Sequence, residues 1–224
     1  MTDEIKRLPV WSRWLRLSHW TITIAVFVLL FSGWLQMQTT QPESWVMDAH
    51  YYTSALLIPA LLIRVYLLFF GSGSDLLKSC TLDRHKFKQA IGVLTSYLTL
   101  GKVPLPKWYA HNPLWGPVYL LLFLVLTLQI ISGLLLMSQI TLLGDISIRS
   151  LHVFGFQFVL GFTLLHILAV FVHDLKGTGS DTSAMISGQR IFVVESQAPK
   201  PSSNSVSLDS LTSQLSGKKT DSKL

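Results

Sequence analysis

Four long apolar stretches separated by polar connections set the organisation of this chain. They run over about residues 17–37, 50–70, 115–137 and 151–173. Each holds about 20 residues or slightly more, the length at which a helix crosses the hydrocarbon of a bilayer. The fourth, from Leu151 to His173, is almost wholly apolar. The first stretch leads into FSGWLQMQ and lacks a small-residue cleavage site, so it is retained as a helix. Before it, residues 1–16 form a basic arm whose WSRWLR suits the headgroup region. The segment 71–112 is mixed and basic, and its KFKQAIGVLTSYLTL has the helical spacing of a short amphipathic helix on the membrane surface. Past His173 the chain turns polar, and from 196 to 224 it is rich in Ser, Thr and Lys without periodicity, which predicts a disordered tail. The predicted fold is an all-α membrane protein whose four-helix bundle occupies residues 17–190.

Composition narrows this further. Half of the 224 residues are hydrophobic and only 13% are charged, the balance of an integral membrane protein. The formal charge is +6, but its distribution argues against a nucleic-acid partner. Lys6, Arg7, Arg13 and Arg16 precede the first span, and Lys78, Arg84, Lys86, Lys88, Lys102 and Lys107 lie between the second and third. Lys176, Arg190, Lys200, Lys218, Lys219 and Lys223 follow the fourth, whereas the other two connections carry Arg149 alone. By the positive-inside rule both termini and the 71–112 segment are expected in the cytoplasm, with two short loops outside. The lone Cys80 excludes an internal disulfide, a C-x-x-C-H haem attachment and an iron–sulfur cluster housed by this chain.

The candidate chemistry lies in the histidines. The fourth span, LHVFGFQFVLGFTLLHILAVFVH, carries His152, His166 and His173. Fourteen residues bring a helix back to within about 40° of its starting face after a rise of ~21 Å. His152 and His166 therefore share a face near opposite sides of the membrane, either as haem ligands or as polar residues hydrogen-bonded inside the bundle, and ionisable residues in a span by default mark a functional site. His50 opens the second span from the outer side, as His152 opens the fourth, and His19 enters from the cytoplasmic side. Two bis-histidine haems follow, one near each face, and without thioether bonds they are b-type. From depth alone, either His166 or His173 serves as the inner partner of His19. The fourteen-residue step recurs from His19 to Gly33 and from His50 to Arg64. Gly33 stands level with the outer haem, where a missing Cβ admits a porphyrin or simply allows close helix packing. Arg64 stands level with the inner haem, where it pairs with a propionate or snorkels to the interface.

The pieces RLSHW (16–20), AHYYTSALLIPALLIRVYLLFFG (49–71), AHNPLWG (110–116), SGLLLMS (132–138), LHVFGFQFVLGFTLLH (151–166) and DTSAMISGQR (181–190) carry a resemblance. Together the sequence resembles the cytochrome b subunits of membrane-bound nickel–iron hydrogenases, within the wider bacterial cytochrome b561 and formate dehydrogenase gamma-subunit family. That resemblance implies two b haems, His50 and His152 holding the outer and His19 and His166 the inner. His173 is then an interfacial or quinone-side residue. It also implies a quinone site beside the inner haem at Asn112, with His111 close by as a group that can exchange protons, although an exposed loop histidine is the plainer reading of His111. His85 is assigned to the surface.

The expected function is electron transfer in the bacterial inner membrane between a periplasmic redox subunit, of which a nickel–iron hydrogenase is one candidate, and the quinone pool. Substrate chemistry would then belong to the partner, this chain supplying a quinone-reductase site. Two other readings stand beside it. The short outer loops suit a stand-alone quinone oxidoreductase that reacts with a small molecule such as superoxide. A haem-free transporter or scaffold is the reading from a different class.

Overall fold

A computed structural model describes residues 4–99, 101–176 and 181–194 of the chain. The predicted tail lies outside these residues. The chain divides into a main body, residues 7–192, and a second unit made of residues 1–6 and 193–224, of which only 4–6 and 193–194 are described.

The four predicted spans are four helices, α1 (Arg13–Gln38), α2 (Ser44–Phe70), α5 (Trp115–Met137) and α6 (Ile148–Lys176). All four are long and apolar enough to cross a membrane, and the protein is a multi-pass membrane protein. Two of them start well ahead of the apolar stretch, because hydrogen bonding rather than hydrocarbon sets a helix end. Ser12 caps α1 by accepting from the Leu15 amide at 3.1 Å. At α2 the segment SWVMDA joins the helix and buries Val46. At 26 residues, α1 spans about 39 Å, more than the ~30 Å of hydrocarbon.

The helices associate as two antiparallel hairpins, α1 with α2 and α5 with α6. Residues 39–43 join the first pair. Between α5 and α6 runs a small antiparallel ribbon, β2 (Leu142–Leu143) and β3 (Ile146–Ser147), whose two-residue turn places Gly144 at φ +59°. The apolar core of the bundle comprises Ile22, Ala25, Val26, Leu57, Ala60, Leu61, Leu122, Leu126 and Val159. Val159 is seven residues from both His152 and His166, so the core fills the middle of the bundle and leaves a histidine layer above and below it. Large side chains such as Phe27, Phe31, Phe69, Leu124 and Phe171 point outward and are exposed, as a lipid-facing surface requires.

The end opposite the short loops is built from the remaining segments. After α2 the chain forms a short helix, α3 (Leu77–Cys80), and the amphipathic α4 (Arg84–Leu98), which Asp83 caps by accepting from the Lys86 amide at 2.8 Å. Gly116, at the start of α5, packs directly on the α3 backbone. Beyond α6 come a short helix, α7 (Asp181–Ser187), and a strand, β4 (Gln189–Val194), which pairs with an N-terminal strand, β1 (Glu4–Pro9). Gly188 makes the turn between α7 and β4 at φ +84°, and its carbonyl accepts from the amides of Val10 and Trp11.

Candidate functional site

At the short-loop end, α2 and α6 bring His50 and His152 together with ring centres 6.4 Å apart and planes at 64°. Each imidazole is held from behind by a serine on the helix preceding it. Ser32 Oγ lies 2.9 Å from His50 Nδ1, and Ser132 Oγ lies 2.8 Å from His152 Nδ1. Gly33 and Gly133 follow these serines, and a Cβ built at either one would stand 3.5 Å from the adjacent histidine Cε1. The Gln129 amide donates to the His152 carbonyl at 3.1 Å and fixes this turn of α6 against α5. Among the described residues neither Nε2 has a hydrogen-bond partner.

At the other end of the bundle, His19 on α1 and His166 on α6 lie within electrostatic range of each other and are both half-buried. His19 Nδ1 is buried without a partner. The His166 ring stacks on Phe162 at 5.6 Å and meets the edges of Trp115 and Tyr119 at 5.9 and 5.8 Å. Arg64 is 5% exposed, with its guanidinium 5.2 Å from the Phe123 ring centre. Its Nη1 makes a long 3.5 Å contact with the Asp75 carbonyl. The guanidinium is thus enclosed by protein rather than open at the surface.

His173 is enclosed more tightly than the four paired histidines, at 8% exposure. Trp115 Nε1–H donates to the Tyr97 hydroxyl at 3.0 Å, which in turn lies 2.7 Å from His173 Nε2. On the other side His173 Nδ1 stands 3.6 Å from the Asp181 carboxylate, which pairs with Arg190 at 2.7 Å. Burial pushes the Asp181 carboxyl up, but the His173 imidazole and the Arg190 guanidinium outweigh it and hold it below the usual range. Both ring nitrogens of His173 thus face protein groups. Asn112 is buried next to this network. Its Oδ1 accepts from the Leu114 amide at 2.9 Å, and its Nδ2 has no partner.

His111 is not the exposed loop residue that a sequence reading favours. It is half-buried, its Nδ1 lies 3.0 Å from Ser79 Oγ, and it meets the rings of Trp11 and Tyr119. Burial, assisted by the nearby Arg64 and Lys86 cations, pushes its pKa down to about 3. The exposed-loop reading of His111 thus gives way to an imidazole enclosed by Trp11, Ser79 and Tyr119. His85 is exposed, as expected.

The paired imidazoles of the His50–His152 layer would suit a metal ion held between them. A metal shared by two imidazoles places the ring centres about 6 Å apart, from two metal–nitrogen bonds of ~2 Å and the two ring radii. The His50–His152 spacing has that value. Among the described residues no group of three or more His, Cys, Asp or Glu converges as a metal cage, and a porphyrin, which supplies four equatorial nitrogens itself, needs only such a pair. Sequence reasoning passed over Ser32, Ser132, Gln129, Tyr97 and Asp181. The repeated Ser-Gly at 32–33 and 132–133 was the available signal for the two serines.

Residues 10–188 match the family described as prokaryotic cytochrome b561. The chain is 24% identical over 218 residues to a probable Ni/Fe-hydrogenase B-type cytochrome subunit of Cupriavidus necator, covering 84% of this chain and 89% of that relative. It is equally 24% identical to proteins described in the same words from Rhodobacter capsulatus, over 79% of each chain, and from Rhizobium leguminosarum bv. viciae, over 84% of this chain and 91% of the relative. No solved structure gives a significant match.

Proposed function

The chain belongs to the prokaryotic cytochrome b561 family, and from that premise we propose that it is a di-haem cytochrome b of the bacterial inner membrane. It carries electrons between a periplasmic redox partner of the nickel–iron hydrogenase kind and the quinone pool. The observation that carries this reading is the His50–His152 pair, 6.4 Å between ring centres with both Nδ1 atoms engaged. A second pair, His19 and His166, sits fourteen residues deeper along α6. The hydrogenase partner rests on relatives whose length this chain nearly spans.

Two b haems, when bound, supply one-electron transfer. His50 and His152 would hold the outer one and His19 and His166 the inner one, leaving the protein to orient the rings and exclude water. Gly33 keeps side-chain bulk away from the His50 ring. Arg64 offers a buried cation to an inner propionate, a charge-assisted contact that its long bond to Asp75 leaves room for. Asn112, whose buried Nδ2 lies beside Tyr97, would offer an amide donor to a quinone carbonyl. Tyr97, His173 and Asp181 hold the proton path beside it from the cytoplasmic side. Both termini are cytoplasmic in this reading, because the basic residues gather at the end opposite the short loops.

Haem quantitation on the purified full chain tests the assignment. Wild-type protein is expected to hold two b haems, His166→Ala one, and His173→Ala two. A His173→Ala protein that loses a haem while His166→Ala retains both overturns the inner pair. A purified, folded chain without haem after supplementation overturns the whole reading. Copurification of a metal-containing subunit supports the hydrogenase-type partner, and full quinone reduction by the lone chain with superoxide argues for a stand-alone enzyme.

A further inference from the structure

The two hairpins repeat one device at the outer layer. In each, a Ser-Gly pair in the second half of the first helix meets a histidine in the first half of the next: Ser32-Gly33 with His50, and Ser132-Gly133 with His152. Both serines are almost fully buried, at 3% and 2% exposure. Each hydroxyl also reaches a carbonyl one turn back, Val28 O and Leu128 O, both at 2.7 Å. A serine hydroxyl has a single proton, and the carbonyl, which can only accept, takes it. The oxygen is then left to accept from the imidazole, so Nδ1 carries the ring proton and Nε2 keeps its lone pair. Among the described residues the inner layer shows no counterpart, because His19 Nδ1 is buried without a partner and His166 is held by aromatic rings.

We propose that Ser32 and Ser132 are positioning residues that lock the metal-binding tautomer of His50 and His152 and make the outer haem the lower-potential one of the two. The inference rests on the two-haem reading above. A hydrogen bond from the distal ring N–H raises the basicity of the ligating nitrogen, which favours the ferric state of an iron bound there. At the inner layer the buried Arg64 cation lies within electrostatic range of His19 and favours the ferrous state. Both effects make outer-to-inner electron transfer downhill, the direction in which a periplasmic donor would reduce quinone. That slope offsets part of the electrical work of moving an electron toward the negative side of an energised membrane.

The test is a spectroelectrochemical titration of the full-length protein and of S32A, S132A and the double variant, repeated in an H166A background that keeps only the outer haem. The expected result is one midpoint of two moving to more positive potential in each alanine variant, further in the double, and the same movement in the H166A background. S32T and S132T, which keep the hydroxyl, are expected to restore the wild-type midpoint. Should an alanine variant shed its outer haem, retention of that haem in the threonine variant supports the role, and loss in both overturns it. Two retained haems with unmoved midpoints, or equal movement of both, also overturn it. Wild-type protein without two haems marks failure of the underlying reading instead.

Discussion

A histidine that resists protonation leaves a signature in the pH dependence of stability, and His111 is such a residue. Its folded pKa is held down to about 3 by burial, whereas in the unfolded chain it titrates near 6.5. Between those values the unfolded chain binds more protons, so stability falls as pH drops from 6.5 and this contribution vanishes above it. One proton gives a slope of at most about 1.4 kcal/mol per pH unit. The melting temperature in detergent is expected to decline from pH 6.5 to 5, and H111Q is expected to flatten that decline. An H111Q protein with the full wild-type slope would assign it to another group. The burial of His111 was not legible locally, because its neighbours Trp11, Ser79 and Tyr119 come from three separate segments. The same holds for Ser32 and Ser132, ordinary small polar residues until the fold sets each beside an imidazole. The histidines themselves were legible, because a fourteen-residue step on a long helix returns to one face and the cost of burying imidazole makes each one conspicuous.

Between elements, the tightest approach with a clean consequence is that of α5 to α3. A Cβ on Gly116 would lie 2.6 Å from the Cys80 carbonyl oxygen and 3.1 Å from its Cα, both backbone atoms that cannot swing aside. Gly116→Val should therefore push α3 off α5, at a cost of roughly 1–3 kcal/mol as an overpacked contact. Cys80 reports on this directly. It is the only thiol in the chain, 1% exposed, with its pKa raised by burial. Maleimide labelling is expected to be slow in the wild type and many-fold faster in G116V. Equal labelling of the two proteins would show that the helix tolerates the side chain. The four spans and the amphipathic α4 could be read from hydropathy and period because those patterns are local. The β1–β4 pairing could not: its strands lie about 180 residues apart, and neither IKRLP nor QRIFVV says which edge it will meet. The α7 turn was equally hidden, since it depends on Asp174 accepting from the Asp181 and Thr182 amides.

For the whole molecule, the two hairpins are each well packed internally and share only a thin core at mid-depth. Between 11% and 33% of the residues in each hydrophobic span are buried, which leaves few apolar side chains to clamp one hairpin to the other. Both proposed ligand pairs cross that divide. His50 on α2 faces His152 on α6, and His19 on α1 shares the inner layer with His166 on α6. Bound haem would therefore act as a staple at each end of the bundle, joining hairpins that the mid-depth core holds only at the centre. A ligand that binds only the folded state stabilises it by about 4 kcal/mol when present at a thousand times its Kd. Protein produced under haem starvation is thus expected to melt well below the haem-replete form, with H152A and H166A falling between because each loses one staple. Reconstitution with haem should restore the wild-type melting temperature but leave each single variant short of it. If the starved and replete proteins melt together, the bundle is held by its apolar core alone and the histidine layers contribute function without stability.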